Sequence, residues 1–147
     1  MMFQRILVPL EHTPTDDTIL GYLRPLAREC QAALVLIHVA DGWVARNIQQ
    51  LDLRESEEMK DDFAYLDHLC GELRNEGFTV EAVLAAGDPA REIAAAAERE
   101  HCDLIAMATH GHRLLADVVR GSVASELRHI TMVPILMVRA GKAKTLT

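Results

Sequence analysis

Five short apolar runs punctuate this chain, and the stretches between them are long enough for helices. The runs are Phe3 to Val8 with its Ile6-Leu7-Val8 end, Ala33 to Val39, Thr79 to Ala85, Leu104 to Ala108 and Val133 to Val138. Runs that are apolar without alternation suit strands buried on both faces, as in a parallel sheet. The intervening stretches carry a helical period. Ile19, Leu20, Leu23, Leu26 and Ala27 recur at that spacing from Thr15 to Cys30, and Met59, Phe63, Leu66, Leu69 and Leu73 recur from Glu55 to Glu76. An alanine-rich helix is predicted over Ala90 to Glu100 and a further one over Ser122 to His129. Strands alternating with helices imply right-handed crossovers, so the predicted architecture is a doubly wound α/β domain, a five-stranded parallel sheet with helices on both faces.

Local punctuation agrees with this layout. Pro25 inside the first helix removes one backbone hydrogen bond, which predicts a kink or a shortened helix, with Gly21 supplying slack one turn earlier. Gly77 stops the long helix, and Gly87-Asp88-Pro89 supplies a turn, an N-cap and a proline at the first helical position. Trp43, the only tryptophan, falls in the connection after the second strand, and the Glu57-Glu58 and Asp61-Asp62 pairs read as a solvated helix face.

At 147 residues the chain is read as one domain able to bury its core without disulfides or metal. No second domain, internal repeat or low-complexity tract is visible. No run approaches the roughly 20 apolar residues of a membrane helix, and the beginning shows no signal-peptide pattern, so a cytoplasmic protein with no membrane insertion is expected. Cys30, Cys70 and Cys102 are far apart and odd in number, which points to reduced, structural thiols. A net charge of -7 argues against a nucleic-acid surface.

The stretch with the most chemistry is Met107-Ala108-Thr109-His110-Gly111, nine residues, then Gly121-Ser122-Val123. It runs from a strand through a glycine-bounded loop into a helix N-terminus, where unpaired N–H groups and the peptide dipoles favour phosphate. Gly121 permits close approach of backbone to a ligand, and Ser122 offers both an N-cap and a hydroxyl donor. A helix capped by Gly-Ser with nothing bound is the competing reading. If the first and fourth strands are neighbours, Pro9-Leu10-Glu11, Val39-Ala40-Asp41 and the stretch from Met107 open onto one crevice at the carboxyl edge of the sheet. Arg113 and Arg120, on the same loop, are read as solvated.

Catalytic signatures are sparse. No G-x-x-x-x-G-K-[S/T] sequence occurs, which speaks against a fast NTPase. His12, His110 and His112 are taken as loop histidines rather than a metal set, and His38 as a hydrogen-bonded core residue. No Ser-His-Asp or Cys-His arrangement stands out.

Several segments together resemble the universal stress protein family, in its ATP-binding branch. They are Ile6-Leu7-Val8-Pro9, Ile37-His38-Val39, Gly87-Asp88-Pro89, the glycine loop and Val133-Pro134-Ile135-Leu136-Met137-Val138. The family's pattern is G-x-x-G, nine residues, then G-[S/T]. This chain supplies Gly111, Gly121 and Ser122, with Ala108 at the first glycine and Glu11 where the family usually has an aspartate.

The resemblance implies a Rossmann-like fold of the adenine nucleotide alpha hydrolase type and ATP as ligand, with or without magnesium ion. It places adenine against backbone near Val39 and the side chains of Leu10 and Met107, beside Pro9. The ribose would meet Glu11 and the Ala108 backbone, and the phosphates Gly111, His112, Gly121, Ser122 and Val123. It further implies a homodimer through Val133 to Val138, or a dimer of dimers, and a nucleotide-responsive regulator in stress adaptation that acts on a partner protein such as a membrane transporter. The alternative is a slow, divalent-ion-dependent ATP hydrolase or nucleotidyl enzyme.

Overall fold

A computed structural model of the chain describes residues 2–41, 53–109 and 123–140. Its elements are β1 (Arg5–Pro9), α1 (Thr15–Cys30), β2 (Ala33–Asp41), α2 (Leu53–Asn75), β3 (Val80–Gly87), α3 (Pro89–Arg99), β4 (Leu104–Thr109), α4 over 123–130 and β5 (Ile135–Arg139). All four strand pairings are parallel, in the order β3-β2-β1-β4-β5. The first and fourth strands are therefore neighbours, and strand order reverses between them. Trp43, His110, Gly111, His112, Arg113, Arg120, Gly121 and Ser122 lie outside the described residues.

Side-chain parity builds the two layers. Ile6 and Val8 of β1 join Leu34, Leu36, Leu104 and Ala106 on one face, covered by Ile19, Leu20 and Leu23 of α1 and Leu66, Leu69 and Leu73 of α2. Leu7 points the other way, with Val35, Ile37, Ile105 and Met107, under Ala90, Ile93, Ala96 and Ala97 of α3 and Ala124 and Leu127 of α4. Successive residues of a strand face opposite sides, so a strand covered by helices on both must be apolar without interruption. That is why Ile6-Leu7-Val8 has no polar member.

Helix ends follow the local chemistry. Asp88 caps α3 by accepting the Arg91 N–H at 3.1 Å, with Pro89 behind it. Gly77 takes a φ of +100° just after α2, a conformation that glycine enters without a Cβ penalty. Pro25 does not shorten α1, which runs unbroken through it. Both Pro25 and Gly21, the residue whose carbonyl loses its partner, are exposed, so water can satisfy the freed group.

One face of α2 differs from the expected one. Phe63 is 53% exposed, and the buried stripe is Leu66, Leu69, Cys70 and Leu73. Continuing that stripe backwards by one turn reaches Asp62, not Phe63. The Asp61-Asp62 pair is correspondingly split: Asp61 is exposed, whereas Asp62 turns inward onto two histidines. Among the described residues no helix is long and apolar enough to cross a membrane.

Candidate functional site

The crevice arises from unequal strand lengths. β1 pairs with β2 as far as Pro9 opposite Ile37, and with β4 only at Ile6 opposite Leu104 and Leu7 opposite Ile105. β2 continues to Asp41 and β4 to Thr109. Proline has no N–H to extend a ladder, and after it the Leu10 N–H makes one last bond to the Ile37 carbonyl at 2.8 Å before the chain turns away. Beyond β1, the tips of β2 and β4 thus face a gap with β1-side backbone edges that no strand pairs among the described residues. It lies where strand order reverses, the position at which doubly wound sheets take ligands.

Of the sequence-predicted residues, Pro9, Leu10, Glu11, Val39, Met107, Ala108 and Val123 are among those described. Pro9 ends β1 and is half-buried, and Leu10 is buried in the layer under α1. Val39 and Met107 pack into the opposite layer, as does Val123 at the first residue of α4. Ala108 packs against the layer of Leu10. Leu10 and Met107 therefore belong to the layers on different faces of the sheet. Glu11 is half-buried on the turn after β1. Gly111, His112, Gly121 and Ser122 lie outside the described residues, so the phosphate half of the motif rests on the sequence.

The turn carrying Glu11 is fastened by a polar cluster that the sequence reading did not assemble. Asp16, in the first turn of α1, is only 2% exposed. One of its oxygens accepts the Glu11 N–H at 2.9 Å; the other accepts the His12 N–H at 2.8 Å and the Tyr65 hydroxyl at 2.5 Å. His12 has a φ of +63°, an uncommon left-handed conformation for a side-chain-bearing residue, and its ring stacks on Tyr65 with centroids 4.0 Å apart. Asp62 joins His12 Nδ1 at 2.8 Å and His38 Nε2 at 3.2 Å, and His38 Nδ1 meets the Leu10 carbonyl at 2.9 Å. His38 is hydrogen-bonded as expected, and its bond lands on the backbone of a crevice residue. Sequence offers one signal for this cluster: Asp62 and Tyr65 sit three apart on α2, in phase with Leu66 and Leu69.

Burial, and then the bond to Asp16, raise the Tyr65 phenol above its ordinary range. An unfolded chain loses that proton near pH 10 whereas the folded one retains it. The stability contributed by this pair is therefore fully present below about pH 10 and is lost as pH rises further. Urea midpoints measured from about pH 8 to 11 should fall at the alkaline end in the parent and fall less in Tyr65→Phe; parallel curves would contradict the assignment.

All three cysteines are free thiols; burial raises Cys70 and pushes Cys102 up to about 11, as befits packed sulfur rather than a nucleophile. Among the described residues no trio of His, Cys, Asp or Glu is arranged to hold a metal. Of the three loop histidines only His12 is described, and it is engaged by Asp62 and Tyr65.

Comparison with known proteins adds a family. The model of the universal stress protein family matches residues 2–139. A universal stress protein of Methanocaldococcus jannaschii is 24% identical over 95% of this chain and 96% of its own length. Its solved structure superposes with a TM-score of 0.82 at 23% identity, covering 99% of this chain and 100% of that one. The universal stress protein YxiE of Bacillus subtilis is 26% identical, over 94% of this chain and all of its own. A universal stress protein from Archaeoglobus fulgidus, solved in complex with dAMP, has a TM-score of 0.65 at 18% identity and covers 93% of this chain and 98% of that one.

Proposed function

The chain belongs to the universal stress protein family, and from that premise we propose that it binds ATP in the crevice above β1 and serves as a nucleotide-responsive regulator in the cytoplasm. The observation that carries this reading is the pair of strand ends that run past β1, His38–Asp41 of β2 and Ala108–Thr109 of β4, whose β1-side edges no strand pairs among the described residues, flanking a gap at the point of strand reversal. A flat heterocycle with donors and acceptors on its rim is the ligand such edges suit, and the dAMP complex of the Archaeoglobus fulgidus relative supports an adenine.

In this reading the backbone near Val39 and the side chains of Leu10 and Met107 hold the base beside Pro9. Glu11 and the Ala108 backbone take the ribose hydroxyls. Gly111, His112, Gly121, Ser122 and Val123 present N–H groups, a hydroxyl and a helix N-terminus to the phosphates, and a magnesium ion brought by the nucleotide would offset its charge. No lysine of the Walker type is available to stabilise phosphoryl transfer, which favours retention of ATP over turnover. Occupancy then acts through assembly or through contact with a protein partner such as a membrane transporter. The assembly is a homodimer paired through Val133 to Val138, or a dimer of dimers.

Mass spectrometry of the supernatant from freshly purified, denatured protein should reveal an adenine nucleotide in near-stoichiometric amount. Absence of any nucleotide, together with no binding of added ATP, overturns the reading. ATP unchanged over hours agrees with a regulator, and stoichiometric phosphate release over minutes identifies a slow hydrolase instead.

A further inference from the structure

Asp16 bonds directly to the turn that carries Glu11, and α2 supplies the groups that brace the rest of it. The carboxylate is buried, and burying an ionised group is costly unless it is hydrogen-bonded. Here it is met by three donors, two of them the consecutive backbone N–H groups of Glu11 and His12 and the third the Tyr65 hydroxyl. A helix N-terminus is served equally well by an exposed acid, so this placement does more than cap α1. It fixes the backbone at Glu11 and holds His12 at positive φ, a conformation that persists only where its surroundings over-determine it. The second brace enters from the other side, since Asp62 of α2 spans His12 and His38, and His38 holds the Leu10 carbonyl.

We propose that Asp16, locked by Tyr65, is a positioning residue that holds Glu11 in register with the ribose. Resting on the nucleotide reading above, this adds α2 to the binding apparatus although it supplies none of the crevice residues. Asp62 and His38 act in the same sense on Leu10. A group that acts through Glu11 loses its influence on binding once Glu11 can no longer read the sugar, whereas a merely structural group does not.

The test is a double-mutant cycle on ATP affinity, measured well below each variant's melting temperature. Asp16→Asn, which turns an NH2 group toward donors, should raise the Kd by about tenfold, and Tyr65→Phe by about threefold. In a Glu11→Ala background, which removes every side-chain acceptor, both effects should shrink to within about twofold. Tyr65→Phe loses a single hydroxyl and carries the cycle alone if Asp16→Asn does not fold. Unchanged affinity in the single variants, or the same loss with and without Glu11, overturns the positioning role while leaving nucleotide binding intact. A parent chain that binds no ATP overturns the nucleotide reading and the positioning role together.

Discussion

Gly121→Val is expected to reduce ATP affinity by at least about a hundredfold while leaving far-UV circular dichroism unchanged. The sequence sets Gly121 immediately before Ser122 and the helix over 123–130, at the step where a phosphate would come against backbone. A valine there adds three carbons, enough to fill the volume of a phosphate oxygen and part the helix entrance from its ligand. A second cause of damage leaves a different trace. If the glycine is needed only for positive φ in a turn, valine lowers stability by more than ~1 kcal/mol with or without nucleotide. Thermal melts beside a binding titration separate the two, and a variant that binds ATP like the parent would remove the loop from the site.

Leu136→Glu is expected to convert a dimer to a monomer at micromolar concentration, read as a halved mass in light scattering. β5 is the edge of the sheet next to β4, and an edge presents unpaired backbone to any second strand. Apolar side chains reach solvent there: Leu136 is 37% and Met137 48% exposed, and Met132, just before the strand, is 98% exposed. Antiparallel pairing of two such edges across a two-fold axis brings equivalent side chains close together, so a glutamate on each copy places like charges in proximity. Because residue 136 is already partly exposed, the folded monomer should lose little stability. A parent that is itself monomeric would dispose of the assembly, leaving Pro134 and the chain after Arg139 as guards of the edge.

What could be read from residues alone was whatever depends on one element at a time. Ile6-Leu7-Val8 declared a strand covered on both sides, and Gly87-Asp88-Pro89 declared a strand end, a cap and a helix start, all as found. Phase within α2 was harder. Phe63 is more apolar than Asp62, and hydropathy favours it for the core, but the helix turns the aspartate inward, half-buried, onto two histidines from other elements. Asp16 hid for a similar reason: an acid in the first turn of a helix is ordinary, and only the tertiary fold brings Tyr65 to it from 49 positions away. The crevice was partly legible, since Pro9 announces the end of β1, yet the overrun of β2 and β4 is a matter of register that no single strand encodes.

That overrun bears on what the crevice is able to distinguish. A recognition surface made from the main chain keeps its donors and acceptors whatever side chains it carries, so relatives can diverge along these strands without losing it. In the proposed complex it would sense the rim of a planar base and not how many phosphates hang from the sugar. On the proposed reading, discrimination among mono-, di- and triphosphates would fall to the glycine loop, and a change of nucleotide preference in this lineage would be written between residues 108 and 123 rather than in the sheet.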